Sequence, residues 1–305
     1  MNSASLLDNF ELGIGTWQWG DQFTWGFGSR YTAADIRAAF DTCLAGGISF
    51  FDTAEVYGQG RSERFLGQFA KASGKPITIA TKFFPFPWRL GKGRLRHALR
   101  HSLERLGVAQ VDLYQIHFPS PPMAIETWMD ALADAVAEGL VREVGVSNYN
   151  TAQLQRACTA LARRGIKLAS NQVRYSLLHR APERAGLVEL CGELEVRLIA
   201  YSPLAQGLLS GKYGPDNPPP GLRGRRYNSA YLARLQPLLA LLRERGEAHG
   251  NKTPSQVALN WLICKGALPI PGVKNALQAA EDLGAAGWRL TEAEVSALDA
   301  ASEVR

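Results

Sequence analysis

The sequence predicts an α/β protein, a (β/α)8 TIM barrel of parallel strands, on three observations. Short apolar runs alternate with amphipathic helical segments along the 305 residues. Eight such runs occur, which is the number that closes a barrel. The G-x-G-x-x-G fingerprint that usually follows the first strand of a doubly wound sheet is absent. Barrels of this kind commonly reach about 250 residues or more as one unit, so we expect residues 1–305 to form a single domain.

Each predicted strand is rich in apolar, β-branched or aromatic residues. The eight runs are ELGIGTW from Glu11, ISFFDTA from Ile48, ITIATKF from Ile77, VDLYQIHF from Val111, REVGVSN from Arg142, KLASNQV from Lys167, VRLIAYS from Val196 and ALPIPG from Ala267. Near-continuous apolar strands between amphipathic helices are typical of a parallel sheet covered by helices.

Helix starts are marked by a capping residue that is followed three positions later by an acidic or amide side chain. The pattern occurs at Thr32 and Asp35, Asn150 and Gln153, Thr253 and Gln256, and Thr291 and Glu294. The last pair predicts an extra helix after the eighth strand.

The unit after the seventh strand is unusually long. Between Tyr201 and Thr253 lies the segment GKYGPDNPPPGLRGRR, followed by a helical pattern at about residues 231–245. Long loops at the carboxyl ends of barrel strands build active sites. We therefore expect this loop to cover a ligand, the cofactor.

The composition is that of a globular protein with a sizeable core, since 46% of residues are hydrophobic and 20% are charged. The net charge of +6 comes without aromatic-basic interleaving or a DNA-reading motif, so we expect no nucleic-acid partner. The four cysteines lack metal-ligand spacing, which predicts neither a metal site nor a disulfide framework. Without a leader or a run of 18 apolar residues, we expect a cytoplasmic protein with no membrane partner.

Polar side chains occur where the second, third and fourth predicted strands end. Asp52 ends the second, with Tyr57 five residues later; Lys82 ends the third and His117 the fourth. In such barrels these ends open into the active site. Each residue alone also fits a structural role, as a helix cap, a packing tyrosine, a surface charge or a core histidine. Their succession at neighbouring strand ends favours a shared site.

Together these four residues have the chemistry of a proton relay. An ordinary tyrosine has a pKa of about 10 and is a weak acid at neutral pH. A nearby ammonium lowers that pKa, and a buried carboxylate keeps the ammonium charged. We assign those roles to Lys82 and Asp52, with Tyr57 as proton donor. His117 is placed to donate a hydrogen bond to a substrate carbonyl.

The motifs FDTAEVYG, ATKF, LYQIHFP, GVSN, NQV and AYSPLAQGLL, in this order between Gly13 and about Glu281, resemble those of the aldo-keto reductase superfamily. The ending NWLICKGALPIPGVKNA is most similar to the plant-plastid and cyanobacterial branch. The resemblance implies a small-molecule carbonyl substrate, an NADP(H) cofactor, and a catalytic tetrad of Asp52, Tyr57, Lys82 and His117. Hydride passes from the nicotinamide to the carbonyl carbon while Tyr57 protonates the oxygen.

The resemblance also implies cofactor contacts. Those near the nicotinamide are Gly15, Thr16, Trp17, Ser147, Asn148, Gln172 and Tyr201. Those of the pyrophosphate loop are Ser202, Pro203, Leu204, Gln206, Gly207, Leu208, Ser210 and Lys212. Those of the adenosine end are Gly272, Lys274, Gln278, Glu281 and Asp282. Asp282 departs from the asparagine common in the family, and the pyrophosphate segment also fits an ordinary surface turn.

Aromatic residues lie on the loops expected at the mouth of the barrel, where they form either an apolar substrate wall or packing contacts. They are Trp19, Trp25, Phe83, Phe84, Phe86, Trp88 and Phe118.

Two other functions fit the same barrel. One is a regulatory or NADP-sensing subunit with little turnover, since a fold does not guarantee catalysis. The other is a Schiff-base enzyme with Lys82 as nucleophile, which the pairing of Lys82 with Asp52 argues against because the attacking amine must be neutral. The sequence leaves the physiological substrate and the oligomeric state open.

Overall fold

The computed structural model describes residues 5–119 and 121–303. Its central sheet has eight strands in the order β1 to β8, and each neighbouring pair is parallel. The strands are β1 Ile14–Gly15, β2 Phe50–Asp52, β3 Thr78–Phe83, β4 Val111–Ile116, β5 Val141–Ser147, β6 Leu168–Arg174, β7 Arg197–Tyr201 and β8 Leu268–Ile270. Every predicted strand is present, in the predicted order.

Backbone contacts between the first and last strands close the sheet. The amide of Gly13 donates to the carbonyl of Pro269 at 3.1 Å, and the amide of Gly15 donates to that of Pro271 at 2.9 Å. Gly15 also forms a parallel bridge with Gly272. The prediction of a parallel (β/α)8 barrel is therefore confirmed.

Helices connect the strands on the outside of the barrel. They are α1 Ala33–Ala45, α2 Arg61–Ser73, α3 Lys92–Leu106, α4 Ile125–Ala137, α5 Thr151–Ala162, α6 Ala181–Arg184, α7 Leu187–Glu193, α8 Leu222–Arg226, α9 Ser229–Ala248, α10 Pro254–Cys264, α11 Ala276–Leu283 and α12 Glu292–Ala301. Capping boxes start α1, α5, α10 and α12 as predicted. The capping side chains satisfy backbone amides that have no partner within a helix.

The interior of the barrel has an apolar lower half and a polar upper half. A short 3-10 helix at Leu6–Asn9 closes the lower end, where Leu7 is fully buried and Phe10 stacks on Phe50 at 5.5 Å. Toward the carboxyl ends of the strands the buried side chains are polar, with Lys82 and Gln115 fully buried. This polarity gradient places the chemistry at the upper end.

The long segment after β7 contains more helix than the sequence predicted. A 3-10 helix spans Ala205–Ser210, and the short α8 forms inside the stretch expected to be loop. The predicted helical pattern becomes α9, with 20 residues. Among the described residues, no helix is long and apolar enough to span a membrane.

Candidate active site

The four predicted tetrad residues lie together at the carboxyl ends of β2, β3 and β4. Asp52 is the last residue of β2, and His117 follows β4 directly. Tyr57 begins a tight turn in which Gly58 has a left-handed φ of 54°. A Cβ on Gly58 would lie 2.8 Å from the carbonyl group of Gly20, so only glycine lets these two loops approach. The turn thus directs Tyr57 toward the strand ends.

Lys82 is fully buried, and all three of its N–H donors have partners. Nζ donates to Oδ1 of Asp52, to the carbonyl oxygen of Thr53 at 2.8 Å and to the hydroxyl of Tyr57 at 3.3 Å. This arrangement fixes the ammonium beside the phenol. It is the geometry that the sequence predicted for the relay.

Burial and charge act in opposite directions on this cluster. Burial, the largest single effect, lowers the pKa of Lys82, but the charge and hydrogen-bond interactions with Asp52 and Tyr57 together outweigh it and the pKa is raised, so the ammonium persists. Burial raises the pKa of Tyr57 more than the Lys82 charge lowers it. The expectation that Lys82 brings the Tyr57 pKa below its ordinary value is therefore wrong for the protein on its own, and the phenol stays protonated.

His117 is neutral at physiological pH. Burial, and then the charge of Lys82, lower its pKa to about 3. Its ring meets the Tyr57 ring edge-on, with 5.8 Å between centroids. Its Nδ1 is buried and has no hydrogen-bond partner among the described residues. A neutral imidazole has one N–H to donate, which suits a residue that polarises a carbonyl oxygen without a full proton transfer.

The second oxygen of Asp52 accepts hydrogen bonds from two amides. Oδ2 receives Nε2 of Gln115 at 3.0 Å and Nε2 of Gln172 at 2.8 Å. Gln172 Nε2 also lies 3.4 Å from Oε1 of Gln115. Each Asp52 oxygen is therefore bonded, as a buried carboxylate requires.

A cavity of about 800 Å³ runs from Tyr57 across the strand ends to α11. On its wall, Tyr201 donates from its hydroxyl to Oδ1 of Asn148 at 3.1 Å. Asn148 Nδ2 donates to the backbone carbonyl of His117 at 3.1 Å, and Ser147 Oγ donates to that of Gln172 at 2.8 Å. Asn148 Nδ2 also donates to Ser147 Oγ at 3.0 Å, so four of the residues predicted for the nicotinamide end form one hydrogen-bonded group: Ser147, Asn148, Gln172 and Tyr201.

The loop after β7 has an unusual backbone. Ser202, Ala205, Gln206 and Gly207 all have φ between 47° and 89°. Non-glycine residues rarely adopt such left-handed angles, and each costs about 1–3 kcal/mol. Such a strained backbone persists only where the surrounding contacts hold it in place. Turns with successive left-handed residues form concavities that bind anions.

Cations gather at one part of the cavity wall. Burial lowers the pKa of Lys274 to about 8, followed in size by repulsion from Lys212, Arg223 and Arg30, so these four groups are close neighbours. Nζ of Lys274 lies 4.7 Å from the centre of the Trp25 ring. Within the described parts of the chain, no carboxylate pairs with Lys274. The cluster is therefore electrostatically suited to an anion.

Aromatic rings surround the mouth of the cavity. Trp17 stacks on Tyr57 with 6.2 Å between centroids, and Phe118 stacks on His117 at 5.1 Å. Phe84 meets the His117 ring edge-on at 5.2 Å. Trp25 makes an edge-on contact with Trp17, with 5.5 Å between the ring centroids.

Comparison with known proteins identifies this arrangement. The sequence profile of the Aldo/keto reductase family matches residues 11–303. The chain belongs to the aldo/keto reductase family. A chloroplastic pyridoxal reductase from Arabidopsis thaliana is 42% identical over 96% of this chain and 83% of its own length.

Solved structures agree with this membership. An aldo-keto reductase from Klebsiella pneumoniae in complex with NADPH has a TM-score of 0.75 at 27% identity, over 95% of this chain and 90% of that one. A thermostable aldo-keto reductase crystallised with the inhibitor epalrestat has a TM-score of 0.77 at 30% identity, over 95% and 94% of the two chains.

Most cofactor contacts predicted for this aldo/keto reductase line the cavity, but Thr16 and Leu208 do not. Thr16 is fully buried, and its hydroxyl bonds to the carbonyl of Asp52 at 3.0 Å and to Ser62 at 2.7 Å. Leu208 packs into the core at 2% exposure. Neither residue is part of the cavity lining, and their role as cofactor contacts stays a prediction.

Two of the predicted mouth aromatics are also core residues in this aldo/keto reductase. Trp19 is fully buried against Phe40, and its indole N–H donates to the carbonyl of Val273 at 3.0 Å. Phe83 is buried against Trp128. Phe86 packs at a tilt against Phe84 and stacks on Trp88, so these rings extend the mouth outward.

Sequence patterns missed several residues of this site. Gln115 contacts Asp52 but sits inside a strand, where a glutamine carries no distinctive signal. Arg30, which no sequence pattern indicated, joins the cation cluster around Lys274 from the turn before α1, and Arg223 joins it from α8. Asp282, by contrast, was predicted for the adenosine end; it lines the cavity and is almost fully buried. Burial, followed by repulsion from Glu281, raises its pKa well above the usual range for a carboxyl.

Proposed function

We propose that this protein reduces aldehydes or ketones to alcohols with NADPH, and that Tyr57 is the general acid. The observation that carries the proposal is the contact between the protonated Tyr57 hydroxyl and the buried, charged Lys82 at 3.3 Å, at the floor of a large cavity. A phenol beside a fixed ammonium delivers its proton more readily, because the phenolate that remains is stabilised by the cation.

The cavity fits a phosphorylated dinucleotide. Cations converge around Lys274, and the left-handed loop from Ser202 to Gly207 forms a second part of the wall. A similar reductase from Klebsiella pneumoniae was crystallised with NADPH, and a relative from Schizosaccharomyces pombe is named for NADP(+). We propose as cofactor-holding residues Gly15, Trp17, Ser147, Asn148, Gln172, Tyr201, Ser202, Pro203, Leu204, Gln206, Gly207, Ser210, Lys212, Gly272, Lys274, Gln278, Glu281 and Asp282.

NADPH, when bound, supplies the hydride that reduces the carbonyl carbon. The protein holds the carbonyl oxygen near the Tyr57 hydroxyl, and the neutral His117 ring polarises it by an N–H donor. Tyr57 transfers its proton to the developing alkoxide. Lys82 stabilises the phenolate left behind, and Asp52 keeps Lys82 charged and in place.

The mouth favours substrates with an aromatic or apolar body. Trp17, Trp25, Phe84 and Phe118 line the cavity next to Tyr57, and planar rings pack well against such walls. The similar Arabidopsis protein is a pyridoxal reductase, which acts on an aromatic aldehyde by its name. We propose aromatic aldehydes as the preferred substrate class.

Schiff-base chemistry at Lys82 is disfavoured. Its amine is fully buried, each N–H has an acceptor and its pKa is raised, whereas a nucleophilic amine must be neutral and accessible. A regulatory subunit that only senses NADP would bind the cofactor without turnover, which the following assay separates.

The test is Tyr57→Phe with NADPH and 4-nitrobenzaldehyde. We expect kcat to fall by roughly 10²-fold or more, which is the usual contribution of general acid catalysis, while the Kd for NADPH stays within about twofold of wild type. Wild-type kcat in the variant, with hydride transfer rate-limiting, would remove Tyr57 from the role of proton donor. Cofactor binding without turnover in the unmodified protein would support the regulatory alternative.

A further inference from the structure

Gln115 occupies a central position that the motifs do not assign. It lies on β4, two residues before His117, and its side chain is fully buried. It does not line the cavity, so it contacts neither substrate nor cofactor directly. Its amide nitrogen nevertheless donates to Oδ2 of Asp52 at 3.0 Å.

Gln115 also orients the other amide that holds Asp52. Its Oε1 lies 3.4 Å from Nε2 of Gln172, whose same nitrogen donates to Asp52 at 2.8 Å. Gln172 lines the cavity, so its other amide atom remains free to face a bound molecule. Because Gln115 does not line the cavity, a bound ligand cannot compete with Asp52 for its hydrogen bond, as it could for that of Gln172.

The Asp52 carboxylate affects both Lys82, which it contacts, and Tyr57, which Lys82 contacts. Hydrogen bonds from neutral donors stabilise the carboxylate form of a buried acid. That carboxylate in turn holds the Lys82 ammonium in contact with the Tyr57 hydroxyl. Loss of the Gln115 donor destabilises the Asp52 carboxylate, and the effect passes through Lys82 to Tyr57.

We propose that Gln115 is a positioning residue that aligns the Asp52 carboxylate with Lys82, and thereby sets how readily Tyr57 gives up its proton. This inference rests on the proposed role of Tyr57 as general acid. It adds a fifth member to the relay, which acts through Asp52 rather than on the substrate.

Few neighbouring groups titrate in the neutral range. The titratable and charged groups around Asp52 and Gln115 are Lys82 from β3, Tyr57 from the turn after β2, His117 after β4, Tyr201 from β7 and, acting on Tyr201, Arg174 from β6. The pKa values of Lys82, Tyr57 and Tyr201 are raised, in Lys82 by Asp52 and Tyr57 together against burial and in the tyrosines by burial. The pKa of His117 is about 3. A new carboxyl at position 115 would therefore be the main group beside Asp52 to titrate between pH 5.5 and 8.5, and the ratio of variant to wild-type rate cancels the titration of the more distant Lys274.

The experiment compares Gln115→Met and Gln115→Glu by the single-turnover rate of NADPH oxidation with 4-nitrobenzaldehyde. Gln115→Met keeps the length of the side chain and removes the donor. We expect its rate to fall about tenfold, the effect of one hydrogen bond to a charged group, with the NADPH Kd and the aldehyde KM within about twofold of wild type. Ser170→Ala is the control, because Ser170 is buried on the same face of β6 as Gln172 and none of the described residues forms a hydrogen bond with its Oγ.

Gln115→Glu provides the pH test. Protonated, the new carboxyl can still donate to Asp52, so at pH 5.5 we expect a rate within about threefold of wild type. At pH 8.5 two carboxylates face each other and raise the pKa of Tyr57, so the ratio of variant to wild-type rate should fall about tenfold further. If Gln115→Met does not fold, this profile carries the test.

The outcomes separate the two proposals. A Gln115→Met rate within twofold of wild type, or a Gln115→Glu ratio that is constant with pH, would mean that Gln115 only packs, and would overturn the inference. Tyr57→Phe is measured in the same assay. Full activity in Tyr57→Phe overturns the proposed function, whereas an inactive Tyr57→Phe with unaffected Gln115 variants overturns the role of Gln115 alone.

Discussion

Substitution of Lys274 by methionine tests the preference for NADPH over NADH. Lys274 has neighbouring cations but no paired carboxylate among the described residues, so a phosphate there would gain a charge-assisted bond at little competing cost. Such a bond contributes about 1.5–3 kcal/mol, or roughly ten- to a hundredfold in affinity. We expect Lys274→Met to raise the Kd for NADPH by that factor and to leave the Kd for NADH within about twofold.

The pH dependence gives a second, independent readout. The pKa of Lys274 is lowered to about 8, first by burial and then by its cationic neighbours. A 2′-phosphate is largely dianionic above pH 7 and pairs only with the charged amine. NADPH should therefore bind best below pH 8 and progressively more weakly as the pH rises from 8 to 10. NADH binding, and binding of either cofactor to Lys274→Met, should stay nearly flat over this range.

Both affinities can be followed by tryptophan fluorescence quenching at low salt, at pH 7, 8 and 9. Lys167→Met is the matched control, because Lys167 forms an exposed ion pair with Glu195 outside the cavity. Arg223 lines the cavity near Lys274, so a partial effect should deepen when Arg223→Met is added. Equal affinity of the wild-type protein for NADH and NADPH would refute the assignment of a 2′-phosphate site.

Two further predictions concern the mouth and the adenosine end. Glu55 accepts a hydrogen bond from the backbone amide of Phe84 at 2.7 Å and pairs with Arg89. Glu55→Gln should therefore loosen this aromatic loop and raise the KM for 4-nitrobenzaldehyde about three- to tenfold, with kcat nearly unchanged. The surface variant Glu126→Gln should behave as wild type, and an unchanged KM in Glu55→Gln would contradict this role. Asp282 has a raised pKa, from burial and then Glu281, so the folded state binds a proton that the unfolded state releases, and stability falls as the pH rises above about 4. Asp282→Asn should therefore raise Tm by about 2 °C or more at pH 8, with a smaller gain at pH 5 in the same thermal scan; a gain independent of pH would contradict it.

Much of the fold followed from local patterns. The eight apolar runs match the eight strands because a parallel barrel buries both faces of each strand, and the capping pairs mark helix starts by satisfying exposed backbone amides. The short helix α8 was missed because Gly-, Pro- and Arg-rich sequences ordinarily form loops. The assignment of residues 1–305 to one domain stays a prediction.

The site was less visible where it depends on side-chain direction and burial. Gly15, Thr16 and Trp17 are consecutive, yet only the first and third line the cavity, since neighbouring side chains of an extended segment point to opposite sides. Burial decides the pKa of Tyr57, and burial is a property of the assembled barrel. Gln115 was hidden because its partner lies 63 residues away in sequence.

The division of the barrel interior into an apolar lower half and a polar upper half affects how the protein can be altered. The lower half, closed by Leu7 and Phe50, supplies hydrophobic burial, and among the described residues of its buried core only Ile270 also lines the cavity. The exposed rings at the rim, such as Trp88 at 71% and Phe118 at 40%, contribute little to that core. A combinatorial library confined to rim positions should therefore yield new substrate ranges with mostly intact thermal tolerance, so engineering for new aldehydes can begin without a stabilised parent.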